Sequence, residues 1–102
     1  MKMILACSMG MSTSLLVEKL KEEAGKRNLT MDIEAIAYDK MDLYADSTDI
    51  LLLGPQVRYL LAKFKTQYGD RVKVIEAMNM SDYALLNAAK ILDEAMSKYQ
   101  EK

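Results

Sequence analysis

The chain has 102 residues, 51% of them hydrophobic and 28% charged, with a net charge of −1, which is the balance of one soluble globular domain over 1–102. Its basic residues are scattered and no aromatic residues interleave with them in a stacking platform, so no nucleic-acid partner is expected. No run approaches the roughly twenty apolar residues of a membrane span, and one cysteine without any histidine excludes an internal disulfide, imidazole acid–base catalysis and the commonest metal ligand.

In chain order, residues 3–6 are a short apolar run that reads as a buried strand. From Ser12 to about Asn28, Leu16, Leu20 and Ala24 recur at four-residue spacing among charged residues, the pattern of an amphipathic helix. Residues 31–37 set Ile33, Ala35 and Ala37 against Asp32 and Glu34 and predict a second strand. Residues 38–48 read as a loop with a helical turn. Ile50-Leu51-Leu52-Leu53 is a buried strand cut off by Gly54-Pro55. Val57, Leu60, Leu61, Phe64 and Tyr68 give a second helical stripe, Val72, Val74 and Ile75 a fourth strand. Leu85, Ala88, Ala89, Leu92, Met96 and Tyr99 mark a third helix, with Ser81 or Asp82 as its N-cap.

The order βαββαβα, with strands apolar throughout, predicts an α/β fold: a parallel sheet covered on both faces. Ligands of such sheets sit beyond the carboxyl ends of the strands. Residues 7–14, 54–56 and 77–83 should therefore converge, with the loop from Tyr38 as a further wall.

The chemistry-bearing segment is Cys7-Ser8-Met9-Gly10-Met11-Ser12-Thr13-Ser14, between the first strand and the first helix. Backbone N–H groups at a helix mouth, with the helix dipole, form an anion site. Gly10 allows a close backbone approach, and Ser8, Ser12, Thr13 and Ser14 offer hydroxyl donors or caps. The same positive end favours the thiolate form of a cysteine. A nucleophilic sulfur beside a phosphate-shaped nest suggests a phosphocysteine intermediate. A lone cysteine ending a buried strand also serves as an inert small hydrophobe, and Ser and Thr cap helices for structural reasons alone.

The segment lacks the Gly-Lys-Ser/Thr of a Walker loop and the glycines of a dinucleotide fingerprint. A cysteine phosphatase loop carries an arginine six residues after its nucleophile, where this chain has Thr13. Without that guanidinium the transition state lacks a bidentate clamp, and slow hydrolysis of the phosphoryl group is expected. Three readings stand on the residues: a phosphoryl carrier, a low-molecular-weight cysteine phosphatase-like enzyme, and a non-catalytic anion-sensing regulator.

The run from Cys7 through Ser14 into Leu15-Leu16-Val17 resembles the start of the IIB subunits of the lactose/cellobiose class of the bacterial phosphoenolpyruvate-dependent sugar phosphotransferase system. Asp49-Ile50-Leu51-Leu52-Leu53-Gly54-Pro55-Gln56-Val57-Arg58-Tyr59-Leu60 is similar to that family's middle segment, and the stretch from Val74-Ile75 to Asp82-Tyr83 to its later loop. Met9 stands where an alanine is expected and Ala84 where a glycine is.

The resemblance implies a four-stranded parallel sheet with helices on both sides and a phosphatase-like loop after the first strand. It implies that Cys7 takes a phosphoryl group from a phosphohistidine on a IIA partner. It further implies transfer to a sugar, a β-linked disaccharide in the cellobiose/chitobiose-like branch, bound by a membrane IIC permease. Cys7 is then the catalytic residue and residues 8–14 the phosphoryl-binding loop. Pro55, Gln56, Asp82 and Tyr83 are candidates for the border of the site, Gln56 as a donor to a phosphoryl oxygen and Asp82 equally as a helix cap. No metal or cofactor is expected, and the placement is cytoplasmic, with no direct insertion into the membrane. Met9, Met11, Met78 and Met80 suit either an adaptable docking surface or core filling. Asp39, Asp42, Asp46 and Asp49 read as a solvated rim.

Overall fold

Successive side chains pointing to opposite faces of short, mostly apolar strands set the architecture. The computed structural model describes residues 1–8 and 11–101, and of Met11 and Ser12 the backbone alone. β1 (Lys2–Cys7), β2 (Asp32–Ala37), β3 (Ile50–Leu53) and β4 (Val74–Ala77) form a parallel sheet in the order β2-β1-β3-β4. The registers pair Cys7 with Ala37, Ala6 with Leu53 and Leu53 with Ala77, so the strands finish together at one edge. The expected four-stranded parallel sheet is the observed one.

Each central strand sends alternate side chains to opposite faces. Met3, Leu5, Ile50, Leu52 and Val74 pack beneath α1 (Met11–Lys26) and α4 (Ala88–Glu101). Ile4, Ala6, Leu51, Leu53 and Ile75 pack against Met41, Val57, Phe64 and Tyr68 on the other face. That second layer is built from 3-10 turns at Tyr38–Leu43, Ala45–Ser47 and Pro55–Leu60, and from α2 (Leu61–Tyr68). The helical stripe of α1 is as expected, with Leu16, Leu20 and Ala24 buried. α1 closes through Asn28 in the left-handed region (φ 57°), with Leu29 N–H donating to the Ala24 carbonyl at 2.9 Å.

Three local expectations change. The second helix does not begin at Val57: Pro55 opens a 3-10 turn, Val57 is non-helical (φ −119°, ψ 20°), and the α-helix proper starts at Leu61. The fourth strand starts at Val74, with Val72 in the turn before it, its N–H bonded to the Tyr68 carbonyl at 2.9 Å. The third helix is two helices, α3 (Met80–Ala84) and α4, divided where Leu86 takes φ 53°. Leu85 is 76% exposed, so the buried stripe of α4 is Ala88, Ile91, Leu92 and Ala95. Neither Ser81 nor Asp82 caps α3; Asn79 does, its side-chain oxygen accepting from Asp82 N–H at 3.0 Å.

The aspartates at 42, 46 and 49 are more than a solvated rim. Asp42 accepts from the Tyr68 hydroxyl at 2.6 Å, Asp46 pairs with Arg71 at 3.3 Å, and Asp49 accepts from Lys2 N–H at 2.8 Å. These bonds tie the 3-10 layer to α2 and fix the start of β3 against β1.

Candidate functional site

Cys7 is the last residue of β1, and the odd positions of that strand face α1. The strand therefore delivers the sulfur to the first turns of the helix that follows it. Thr13, fully buried in α1, donates its hydroxyl to Cys7 Sγ at 3.1 Å. Cys7 Sγ also lies 3.8 Å from the Ile36 carbonyl on β2, the direction in which a thiol proton points. A third element joins from the far end of the chain: Tyr83 of α3 places its hydroxyl 3.2 Å from Thr13 Oγ1.

α3 is held where it can do this by local sequence. Asn79 caps it, and Tyr83 N–H donates to the Asn79 carbonyl at 2.9 Å. Met78 N–H bonds to the Leu53 carbonyl at 2.9 Å and ties the loop after β4 to the end of β3. The Tyr83 ring packs partly buried against the core shared by α1 and α4.

Gly54 forms the fourth side. Its N–H donates to the Ala6 carbonyl at 2.8 Å, so β3 continues to track β1 as far as the cysteine. A Cβ on Gly54 would stand 3.3 Å from Cys7 Cβ and 3.2 Å from Gln56 Oε1. The glycine is thus favoured by close approach and not by backbone geometry, since its backbone (φ −62°, ψ 152°) suits any residue.

Of the residues singled out in the sequence, Cys7, Thr13, Gln56 and Tyr83 come together at the carboxyl edge of the sheet. Ser8 and Ser14 are exposed beside them. Met9 and Gly10 lie outside the described residues, as do the side chains of Met11 and Ser12. Pro55 is buried and, lacking an N–H, only directs the chain. Asp82 is buried too, with its carboxylate 3.9 Å from Lys90 on α4. Met78 fills core, whereas Met80 is 63% exposed. Arg58 is exposed and faces a shallow hollow shared with Asn79, Met80 and Ser81. Gly54 belongs to a segment expected to converge here, but its close approach to the sulfur is not readable from the sequence, where it marks a strand stop.

Cys7 is 1% exposed. A donor must therefore reach Sγ past the groups at the rim, and bulk water is kept from it. The arrangement can hold a sulfur nucleophile at a helix mouth with a hydroxyl donor on it. Among the described residues, no group of three or more His, Cys, Asp or Glu is placed to hold a metal.

The family model described as "PTS system, Lactose/Cellobiose specific IIB subunit" matches residues 2–94. The chain belongs to this family. It is the sugar-specific IIB component of a phosphotransferase system of the lactose/cellobiose class, a sugar phosphotransferase. The oligo-beta-mannoside-specific EIIB component of Bacillus subtilis is 39% identical over 99 residues, covering 94% of this chain and 93% of that protein. The galactose-specific EIIB component of Lactococcus lactis is 32% identical over 96 residues, 89% of each. The solution structure of a cellobiose-specific IIB component from Borrelia burgdorferi superposes with a TM-score of 0.79 at 32% identity, over 100% of this chain and 94% of that one. Among the described residues no helix is long and apolar enough to cross a membrane.

Proposed function

We propose that Cys7 is the residue of this IIB component that carries the phosphoryl group. The sulfur attacks the phosphorus of a phosphohistidine on a IIA partner; an S–P bond forms as the N–P bond breaks, and the imidazole leaves with the electron pair. In the second transfer a hydroxyl of a sugar held by a membrane IIC permease attacks the same phosphorus. The S–P bond then breaks, the thiolate leaves, and the hydroxyl proton is given up. The chain acts as one phosphocarrier domain in the cytoplasm, with residues 8–14 as the phosphoryl cradle, and needs no cofactor.

The observation that carries this reading is Thr13 donating to Cys7 Sγ at 3.1 Å at the start of α1. A hydroxyl on sulfur stabilises the thiolate without a fixed positive charge. A phosphatase would instead have an arginine clamp in this place, and its absence favours holding the group over hydrolysing it. The β-linked sugar is supported by the oligo-β-mannoside specificity in one relative's name, while the galactose specificity of another keeps the panel of candidate sugars open.

Intact-mass measurement after incubation with a phosphorylated IIA protein tests the proposal. A gain of one phosphoryl group is expected, absent in Cys7→Ser. Inorganic phosphate should be released slowly until permease and sugar are supplied. A native chain that never gains the phosphoryl mass from any IIA donor refutes the carrier role.

A further inference from the structure

We propose that Tyr83 is a positioning residue for the Cys7 sulfur, acting through the hydroxyl of Thr13. The proposal rests on Cys7 being the phosphoryl acceptor.

The proton count requires the direction of the relay. A threonine hydroxyl has one proton and two lone pairs. Thr13 directs its proton to Cys7 Sγ at 3.1 Å. The 3.2 Å contact between Thr13 Oγ1 and the Tyr83 hydroxyl must then be a bond that Tyr83 donates. When the sulfur is ionised it can only accept, and the chain runs one way: Tyr83 O–H to Thr13 Oγ1, and Thr13 O–H to Sγ. Hydrogen bonds in such a chain polarise one another, more so out of water, and Thr13 is fully buried.

The phenol also decides where the threonine points. A threonine hydroxyl has more than one staggered rotamer open to it, and turned away from Cys7 it makes no bond to the sulfur. Occupying a lone pair of Oγ1 from the side of α3 holds the hydroxyl toward Cys7. The two residues are 70 positions apart in sequence, so the relay forms only when the loop after β4 is docked on α1. α3 is built to present this ring: Asn79 caps it and the Tyr83 side chain is wedged against the α1–α4 core.

Tyr83→Phe keeps the ring and removes the hydroxyl; Thr13→Val keeps the shape and removes the relay. Two rates are read: alkylation of Cys7 by iodoacetamide at neutral pH, which needs no partner, and phosphoryl uptake from a phosphorylated IIA protein. Losing a donor leaves the sulfur less firmly held for attack without removing the sulfur itself, so the loss in alkylation is modest. Tyr83→Phe should alkylate about twofold to threefold more slowly and Thr13→Val about fivefold. Thr13→Ser should recover most of the native rate. In the Thr13→Val background, Tyr83→Phe should change nothing further. Circular dichroism and thermal melts of each variant confirm that the fold is kept.

Equal losses from Tyr83→Phe with and without Thr13 would overturn the relay, as would no loss in the native background. Coupled alkylation rates in a chain that no IIA donor phosphorylates would uphold the positioning role and overturn the carrier reading. Normal phosphoryl uptake with uncoupled alkylation rates would do the reverse.

Discussion

Gly54→Ala separates stability from chemistry at the site. The new methyl carbon would stand 3.3 Å from Cys7 Cβ, against an ordinary carbon–carbon contact of about 3.5–4.0 Å. Relief of a few tenths of an ångström must come from somewhere. Gln56 Oε1, at 3.2 Å, is the end of an exposed, flexible side chain and moves aside at little cost. Cys7 cannot move so freely, because β1 is paired to β2 on one side and β3 on the other. Mild overpacking of this kind costs about 1 kcal/mol or somewhat more. Replacing glycine by alanine at a backbone conformation alanine can adopt returns about 0.4–1 kcal/mol through the unfolded chain. The two nearly cancel, so urea melts should show a net loss of less than about 1 kcal/mol. The sulfur, displaced against its 3.1 Å bond from Thr13, has no such compensation. Misplacement by a full ångström costs on the order of a hundredfold in rate, so a shift of a few tenths should slow phosphoryl uptake by roughly threefold to tenfold. Quenched-flow labelling from a phosphorylated IIA donor, alongside the melts, reads both quantities. A Gly54→Ala protein that is more stable than the native one and takes up phosphoryl groups at the native rate would refute the close-approach argument.

Other expectations follow from the same geometry. Leu51→Ala removes a fully buried side chain between Ile4 and Ile75 of the neighbouring strands and should cost about 3 kcal/mol in urea denaturation, with the uptake rate of the folded fraction unchanged. Asn79→Ala removes the cap of α3 and should cost about 1 kcal/mol; because α3 carries Tyr83, it should also lower the alkylation rate of Cys7 in the direction of Tyr83→Phe. Burial first, and then the bond to the Asp42 carboxylate, push the Tyr68 hydroxyl up to about 12 from 10.0. A raised folded value means that its contribution is complete below the unfolded value of about 10 and is lost as pH rises through about 12. The native chain should therefore lose stability more steeply across that window than Tyr68→Phe, and identical alkaline slopes would contradict the assignment.

The sheet was readable because its central strands β1 and β3 are nearly pure apolar runs, β3 stopped by Gly-Pro, while β2 shows the apolar–acidic alternation of an edge strand. The position of Cys7 followed directly, since a residue ending β1 must face the start of α1. What the sequence withheld were facts that depend on pairing across distance. Thr13 reads equally as a cap, a solvated hydroxyl or a donor to sulfur until the depth of α1 on β1 is known. Tyr83 finds Thr13 only after the loop beyond β4 has folded back, and no local pattern records that. Leu86 ends a helix in the left-handed region without the glycine or asparagine that would announce it. Asn79 is close to the expected cap at Ser81 or Asp82 but two or three residues before it, because Asn, Ser and Asp all suit a cap and only the backbone shows which one is used. Asp42, Asp46 and Asp49 looked like solvent-facing charge because their partners, Tyr68, Arg71 and the backbone of Lys2, lie 25 residues or more away.

Burial of the sulfur at first opposes a role in transfer, yet on the carrier reading it is what the role requires. A phosphocysteine is lost to water unless water is kept from the line of attack and the stabilisation of the transition state is withheld until a partner arrives. Cys7 at 1% exposure keeps the free sulfur itself from water until a donor docks. The second is met by Thr13, which supplies one neutral donor in the place where a phosphatase positions a charged, bidentate clamp. On the carrier reading such a site transfers its phosphoryl group only when a partner is docked. Chemistry then follows docking, and the hydroxyl relay from Tyr83 keeps the sulfur aimed in the interval.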